Sequence, residues 1–545
     1  MRATWISCVV VLGCTSEPSF PIAHFARSPP VTIVNDRRDV PKPPKERKAL
    51  QDPYAVKVLL VRPVERTLDV PRPQRAKGVN SIDEVPDSTW FTNRAPLTAD
   101  QVRTGPLTTD TPENHFPWTL TSTKFGGASS GFIVNDARGI KWLLKFDDKD
   151  FPEVETGADV LGDRLMWAAG FNVPEDEIVY FRLQDLVLAP DAHVKGRFGG
   201  NEGKLTAAKV SEALSHIQKG KDGRYRATAS RWLEGKPLGD PGGKGTRKGD
   251  PNDRIAHELR RDWRGLATFY SWIDLVDVWP GNFLDMWIAD HGRHYLVHYV
   301  LDFDSSLAAL GSVQYDMRRS YTYRWDWPTV FGSFMSVGLI QWDWEGRPRQ
   351  SIPGVPSLFT ATGFDPGRWH CDLPFLPFQT ADRFDAFWAA KILSRFTRDQ
   401  IHAAVEAGRY SDPRATEYIA NTLVERQHKI VAYAYRRVNP LDGFAMSDQL
   451  CFDDLAVAQG YAAGSTTHYE VRARDARGRI LAPAIVVAAV QSGHACTRVP
   501  ALADAPDGYT VVEITTVRPD FRGTTYVHLA RDPTGALHVV GIWRV

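Results

Sequence analysis

Hydrophobic positions in the middle of the chain recur at helical spacing. Leu259, Trp263, Leu266, Tyr270 and Ile273 are separated by 4, 3, 4 and 3 residues, which puts them on one helix face and predicts a helix over 253–276. Ala158, Leu161, Leu165 and Ala168 do the same for a helix from near Glu153 to Gly170. Helical periods return over 381–396. Thr397-Arg398-Asp399-Gln400 then forms a capping box for a helix ending at Gly408, and Asp412-Pro413 opens one reaching about Val438. Strand-like runs cover 55–61, two stretches either side of Gly126 to Gly131, 140–145, a pair within 178–188, and 225–233. A hairpin turns at Asp290-His291-Gly292-Arg293, with 294–301 as its second strand. After Asn439-Pro440 the helical period gives way to alternation at 469–474, 509–516, 525–529 and 537–545, predicting a sandwich-like β domain over 448–545.

Other stretches lack a period. Residues 196–220 are polar and predict an insertion, and 325–377 are rich in Trp, Pro and Gly. Residues 15–53 include Pro41-Lys42-Pro43-Pro44-Lys45, too polar for a core and semi-rigid where prolines cluster, so they predict a tether. Residues 54–117 mix turn formers with aromatics and predict an irregular cover. No internal repeat is present.

With 545 residues, 43% of them hydrophobic, and a formal net charge of +1, the chain is long enough for several globular domains. It has no basic excess that would point to nucleic acid. Residues 1–14 carry one Arg, a short apolar run and Gly13-Cys14, the composition of an export signal. This segment resembles a bacterial lipoprotein signal. The resemblance implies a lipidated Cys14, a membrane partner through that lipid and, with Thr15-Ser16 and no Asp after the Cys, an outer-membrane location in the cell envelope. In an oxidising compartment Cys451 and Cys496, both C-terminal, are the pair expected to bridge, leaving Cys371 free.

The candidate chemistry lies in Asp277-Val278-Trp279-Pro280-Gly281-Asn282 and, after the hairpin, Leu301-Asp302-Phe303-Asp304. Asp, Pro, Gly and Asn also make ordinary turns, so position gives the motif its weight: predicted helix, Asp-turn-Asn, hairpin, Asp-Phe. Lys145 ends a buried strand, where an ammonium needs an anion. Glu155, bordering the apolar stripe of the next helix, is the chosen partner over Glu153, and a snorkelling edge lysine is the bland alternative. Gly126, Gly127 and Gly131 sit between strands, where backbone amides can approach phosphates.

Order and residue types together resemble the protein-kinase-like superfamily over about 118–440, its atypical and secreted members more than the eukaryotic group. The resemblance implies an α+β fold: a two-lobed protein-kinase-like core, with a β-rich N-lobe over 118–233 and a helical C-lobe over 234–440, followed by the all-β C-terminal domain. It implies ATP and Mg²⁺ as cofactors, a protein or glycan hydroxyl as acceptor, Lys145 on the α- and β-phosphates, Glu155 paired with Lys145, Asp277 as base, and Asn282 with Asp302 on the metal. The chain departs from the pattern in several places. Leu275-Val276 replace His-Arg, Trp279 stands where many kinases have a Lys, and Asp304 replaces the Gly of Asp-Phe-Gly. Three functions follow: an envelope phosphotransferase, an inactive pseudokinase-like scaffold, or a structural lipoprotein.

Overall fold

Alternation along Trp118, Leu120, Phe132, Val134, Trp142 and Leu144 fills one continuous apolar core, and the sheet these strands build carries the site. The computed structural model describes residues 25–62, 74–94, 96–124, 131–196, 200–309, 316–324, 326–337, 339–499 and 508–545. The expected signal with Cys14, the start of the expected tether, and Gly126 and Gly127 lie outside the described residues. Two compact units result: one holds 31–438, the other 439–545 with 25–30.

The larger unit begins, among regular elements, with helix α1 (Gln51–Val56), continued by a π-helical turn over Lys57–Val61, and with α2 (Ala99–Thr104). A seven-stranded mixed sheet follows, made of β1 (Trp118–Thr123), β2 (Gly131–Asn135), β3 (Lys141–Lys145), β4 (Asp176–Phe181), β5 (Leu186–Lys195), β6 (Asn201–Lys204) and β7 (Tyr225–Arg231), in the order β4-β7-β3-β2-β1-β5-β6. Only β1 and β5 run parallel. Helix α3 (Val154–Ala169) connects β3 to β4. Helix α4 (Ala207–Ser215) sits in the expected insertion, which is ordered because Val210 and Leu214 join the sheet's core.

A short β8 (Lys236–Pro237) leads to α5 (Arg261–Ile273), and β9 (Phe283–Asp290) pairs with β10 (Arg293–Val300) in the expected hairpin. The turn has His291 at φ 47° and Gly292 at φ 76°, the left-handed pair a two-residue hairpin turn requires. Helices α6 (Trp327–Met335), α7 (Leu376–Gln379), α8 (Arg383–Leu393), α9 (Arg398–Ala407) and α10 (Pro413–Tyr435) complete the unit. Both side chains of the capping box at Thr397 and Gln400 are engaged, and Asp412 caps α10.

The smaller unit is antiparallel throughout. Strands β11 (Leu441–Met446), β12 (Leu450–Asp454) and β15 (His494–Thr497) form one sheet; β13 (His468–Asp475), β14 (Ile485–Ala488), β16 (Tyr509–Arg518), β17 (Phe521–Arg531) and β18 (Leu537–Arg544) form another. Leu450, Phe452, Tyr469, Val471, Val512, Ile514 and Val527 share one core between them. The fold class is therefore α+β, with a β-rich part, a helical part and an antiparallel C-terminal unit, as the sequence predicts. Among the described residues no helix is long and apolar enough to cross a membrane.

Four local expectations are corrected. Residues 55–61 are helical: a short apolar run does not distinguish strand from helix, and here Val58 and Leu59 are buried against Leu373 while Leu60 and Val61 face outward. The Pro-rich 31–48 is docked on the larger unit and is no free tether. Val40 is buried, its N–H donates to the His294 carbonyl (2.6 Å), its carbonyl accepts from Trp287 Nε1 (2.9 Å), and the Lys45 carbonyl accepts from Arg247 Nη1 (2.9 Å). An extended segment can satisfy its polar groups one at a time without a core of its own. The β domain begins at Leu441, not 448, because β11 pairs with β12.

The fourth correction concerns the helix before the Asp277 motif. It spans only Arg261–Ile273 and ends on Asp274, left-handed at φ 53°. The Asp274 carboxylate is fully buried between Arg347 (3.2 Å), Arg426 (3.3 Å) and Trp369 Nε1 (2.9 Å). Burial pushes its pKa up, but the two guanidinium groups, with Ser320 and Trp369 adding to them, more than offset this and hold it below the ordinary carboxylate range. Removing one partner of such a network leaves buried charge uncompensated. Asp274→Ala is therefore expected to cost about 3–5 kcal/mol of stability, read by urea unfolding. A loss under about 1 kcal/mol would show that the arginines find other acceptors.

Candidate active site

Side chains alternate across a strand. In β3 that sends Trp142 and Leu144 into the core and Lys145 to the opposite face, where its ammonium meets three carboxylates: Asp302 Oδ1 at 2.5 Å, Asp159 Oδ2 at 3.2 Å and Asp304 Oδ2 at 3.6 Å. Burial works against the ammonium, yet the surrounding acids outweigh it and hold the Lys145 pKa well above its ordinary value.

The helix partner of Lys145 is Asp159 and not Glu155. Glu155 lies in the first turn of α3, where its backbone N–H donates to Asp147 Oδ1 (2.8 Å). Asp159, four residues on and so one turn deeper on the same face, is fully buried. A sequence signal existed: an acid inside Ala158-Asp159-Val160-Leu161, a stretch otherwise wholly apolar. Helix α3 is held against the Asp302 segment by close contact, since a Cβ on Gly162 would stand 2.7 Å from both Phe303 Cβ and Ser306 Oγ. Phe303 is fully buried there.

The Asp277 motif is stitched to the same place. Pro280–Asn282 form a single 3-10 turn, and Gly281 lets the Trp279 ring lie close over it, since a Cβ would stand 2.3 Å from that ring. Asn282 Nδ2 donates to the Asp277 carbonyl (2.7 Å), and the Asn282 carbonyl accepts from Leu301 N (2.9 Å). That second bond ties the turn to the residue before Asp302, which adopts a left-handed backbone (φ 65°, ψ 63°). With Nδ2 engaged, Asn282 has its amide oxygen left for a cation.

Acids outnumber cations here. Asp159, Asp176, Asp302 and Asp304 all act on Lys145. Burial raises the Asp302 pKa, but Lys145, first, and then Lys124 more than reverse this and hold it well below the usual carboxylate range. Asp304 is pushed up, by burial and then by the Asp302 charge. Asp159 is also pushed up, chiefly by burial. Two carboxylates and an amide oxygen with surplus negative charge are a hard-oxygen donor set, which fits Mg²⁺. Asp304 is a candidate ligand that the sequence expectation treated only as a departure from Asp-Phe-Gly.

Asp277 is pushed up to about 7, by burial first and then by the charges of Asp372, Asp302 and Asp304, with Arg324 opposing. Its Oδ1 is buried without a hydrogen-bond partner among the described residues. Trp279 packs against the apolar cluster of Val58, Leu59 and Leu373. Gly131 makes a close backbone approach: a Cβ there would lie 2.3 Å from the Leu144 carbonyl oxygen.

No family model matches the chain, and no curated protein does. Among solved structures it is similar to the Helicobacter pylori proinflammatory kinase CtkA, with 14% identity and TM-score 0.30 over 57% of this chain and 92% of that one. It is also similar to the Golgi casein kinase with Mn/ADP bound, with 9% identity and TM-score 0.28 over 62% of this chain and 74% of that one. Scores and identities this low carry no argument about this chain, whose function has to be read from its own residues.

Proposed function

We propose that the chain is a kinase-like phosphotransferase of the cell envelope, using Mg-ATP to phosphorylate a hydroxyl on a protein or glycan acceptor. The observation that carries this reading is the meeting of Lys145 with Asp302 and Asp304, beside a turn that joins Asn282 to Asp277. Lys145 orients the α- and β-phosphates, with Asp159 fixing its ammonium. Asp302 and Asn282, joined by Asp304, would hold Mg²⁺, which would neutralise phosphate oxygens. Asp277 accepts the acceptor's hydroxyl proton as the oxygen bonds to the γ-phosphorus, and the bond to the β–γ bridging oxygen breaks with its electron pair leaving on ADP.

A second reading, a pseudokinase-like scaffold that binds nucleotide without turnover, is favoured by one observation. Trp279 is packed as an apolar side chain where a cation would neutralise the transferring group.

Calorimetric titration of Mg-ATP into the wild-type chain, followed by a phosphate-transfer assay on envelope extracts, tests both. Binding with transfer supports the phosphotransferase, and binding alone supports the scaffold. No binding by folded protein, with or without Mg²⁺, leaves the structural lipoprotein. The envelope location rests on Gly13-Cys14 and the apolar run before it. Cys14→Ser is expected to move the protein from the membrane fraction to the soluble one or to block processing, and fractionation identical to wild type would refute lipidation.

A further inference from the structure

In the C-terminal unit, β12 and β15 pair antiparallel with Cys451 opposite Cys496 and Asp453 opposite His494. Residues two apart on a strand share a face. These four side chains therefore form a square on one face of the ladder, while Leu450, Phe452 and Ala495 point from the other face into the core. The cysteines are joined as a disulfide. His494 Nδ1 lies 2.7 Å from Asp453 Oδ1, and its Nε2 lies 3.5 Å from Cys496 Sγ. Both sulfurs and a ring nitrogen of His494 fall within 4.8 Å of one another. Strand β15 is at the sheet edge, and Cys496 and His494 are exposed.

We propose that this corner is a latent zinc site, closed while the disulfide is intact and opened by its reduction, an inference independent of the phosphotransfer reading. Three features support it. Bonds of ~2.3 Å to sulfur and ~2.0 Å to nitrogen place the ligand atoms of a tetrahedral zinc about 3.5–3.8 Å apart, and the His494 nitrogen already stands at that distance from Cys496 Sγ. The Nδ1 contact to Asp453 leaves Nε2 as the metal-facing nitrogen, the arrangement in which a carboxylate orients a ligating imidazole. Two thiolates and an imidazole also form a donor set that selects zinc over hard cations. Three protein ligands leave a fourth position for water or another small ligand.

The chemistry balances with a dithiol or phosphine reductant. The S–S bond takes two electrons and two protons to give two thiols. The dithiol becomes a disulfide, or the phosphine takes oxygen from water to become its oxide. Zinc binding then releases both thiol protons.

The full chain, reduced anaerobically with a water-soluble phosphine and freed of it, is titrated with Co²⁺ while thiolate-to-cobalt charge-transfer and tetrahedral d–d absorption are recorded. Excess Zn²⁺ then displaces the cobalt. One equivalent with both bands is expected for the reduced chain and none for the oxidised chain, which keeps its other cysteines and sets the baseline. Cys496→Ser is expected to abolish the bands, and His494→Ala to weaken binding at least 100-fold. Asp453→Asn is expected to retain the bands while binding about 10–100-fold more weakly. If reduction loosens the unit, Zn²⁺ is expected to restore its near-ultraviolet dichroism. Absent bands, equal binding by the oxidised chain, unchanged affinity in both His494→Ala and Asp453→Asn, or failure of Zn²⁺ to restore a loosened unit would each overturn the proposal.

Discussion

Asp302→Ala is expected to lower Mg-dependent nucleotide affinity by at least ~100-fold without unfolding the chain. The variant loses a carboxylate assigned to the metal, and such contacts are worth several kcal/mol, of which about 3 already corresponds to ~100-fold. The fold should tolerate the change because Lys145 keeps Asp159 at 3.2 Å and Asp304 at 3.6 Å. With the Asp302 charge gone, a cause of the raised Asp304 pKa disappears, so some residual metal binding through Asp304 is expected, and Asp302→Ala combined with Asp304→Ala should remove it. Calorimetry with Mg-ATP and with ATP in EDTA reads both effects. Wild-type affinity in the single variant would show that Asp302 is not the metal ligand.

Asp277→Asn is expected to leave nucleotide binding intact and lower kcat by ~10²–10⁴-fold, the range that base and orientation effects supply. Wild-type turnover should rise with pH through about 7, the value to which burial and the neighbouring acids push this carboxyl. The same shift has a consequence for stability. The folded pKa exceeds the unfolded value of about 3.9, so between roughly pH 4 and 7 the native state binds more protons and stability falls as pH rises. Asn carries no such penalty. Asp277→Asn is therefore expected to be more stable than wild type at pH 8 and closer to it at pH 5, by urea unfolding at both. A variant that loses nucleotide binding, or that is less stable than wild type at pH 8, would show that Asp277 is structural.

The local elements were largely legible. The capping box at Thr397, the Asp412-Pro413 helix start, the hairpin turn at His291-Gly292 and the alternating strands after 468 each depend on residues within a few positions of one another, and each forms as the pattern predicts. Region 327–340 defeated periodicity for a visible reason. Helix α6 forms there with its apolar side chains turned outward, Phe334 being 78% exposed and Leu339, just beyond it, 89%, so no amphipathic stripe marks it.

What the amino-acid order determined by itself is the inventory of the site and its sequence along the chain: Lys145 at the end of a strand, Asp277 five residues before Asn282, and Asp302 after a hairpin. Strand alternation and turn stereochemistry act over a handful of residues and need no partner. Tertiary structure decided which groups meet. Asp159 prevails over Glu155 because Gly162 lets α3 rest on Phe303 and Ser306, bringing a deeper turn of the helix to Lys145. Asp304 joins Asp302 because one ammonium, from β3, is shared among acids from two other segments, α3 and the Asp302 turn. The helix before Asp277 stops at Ile273 because Arg347 and Arg426, 73 and 152 residues beyond Asp274, converge on its carboxylate. Charge pairing in a dry interior depends on distance in space, and no local pattern encodes that distance.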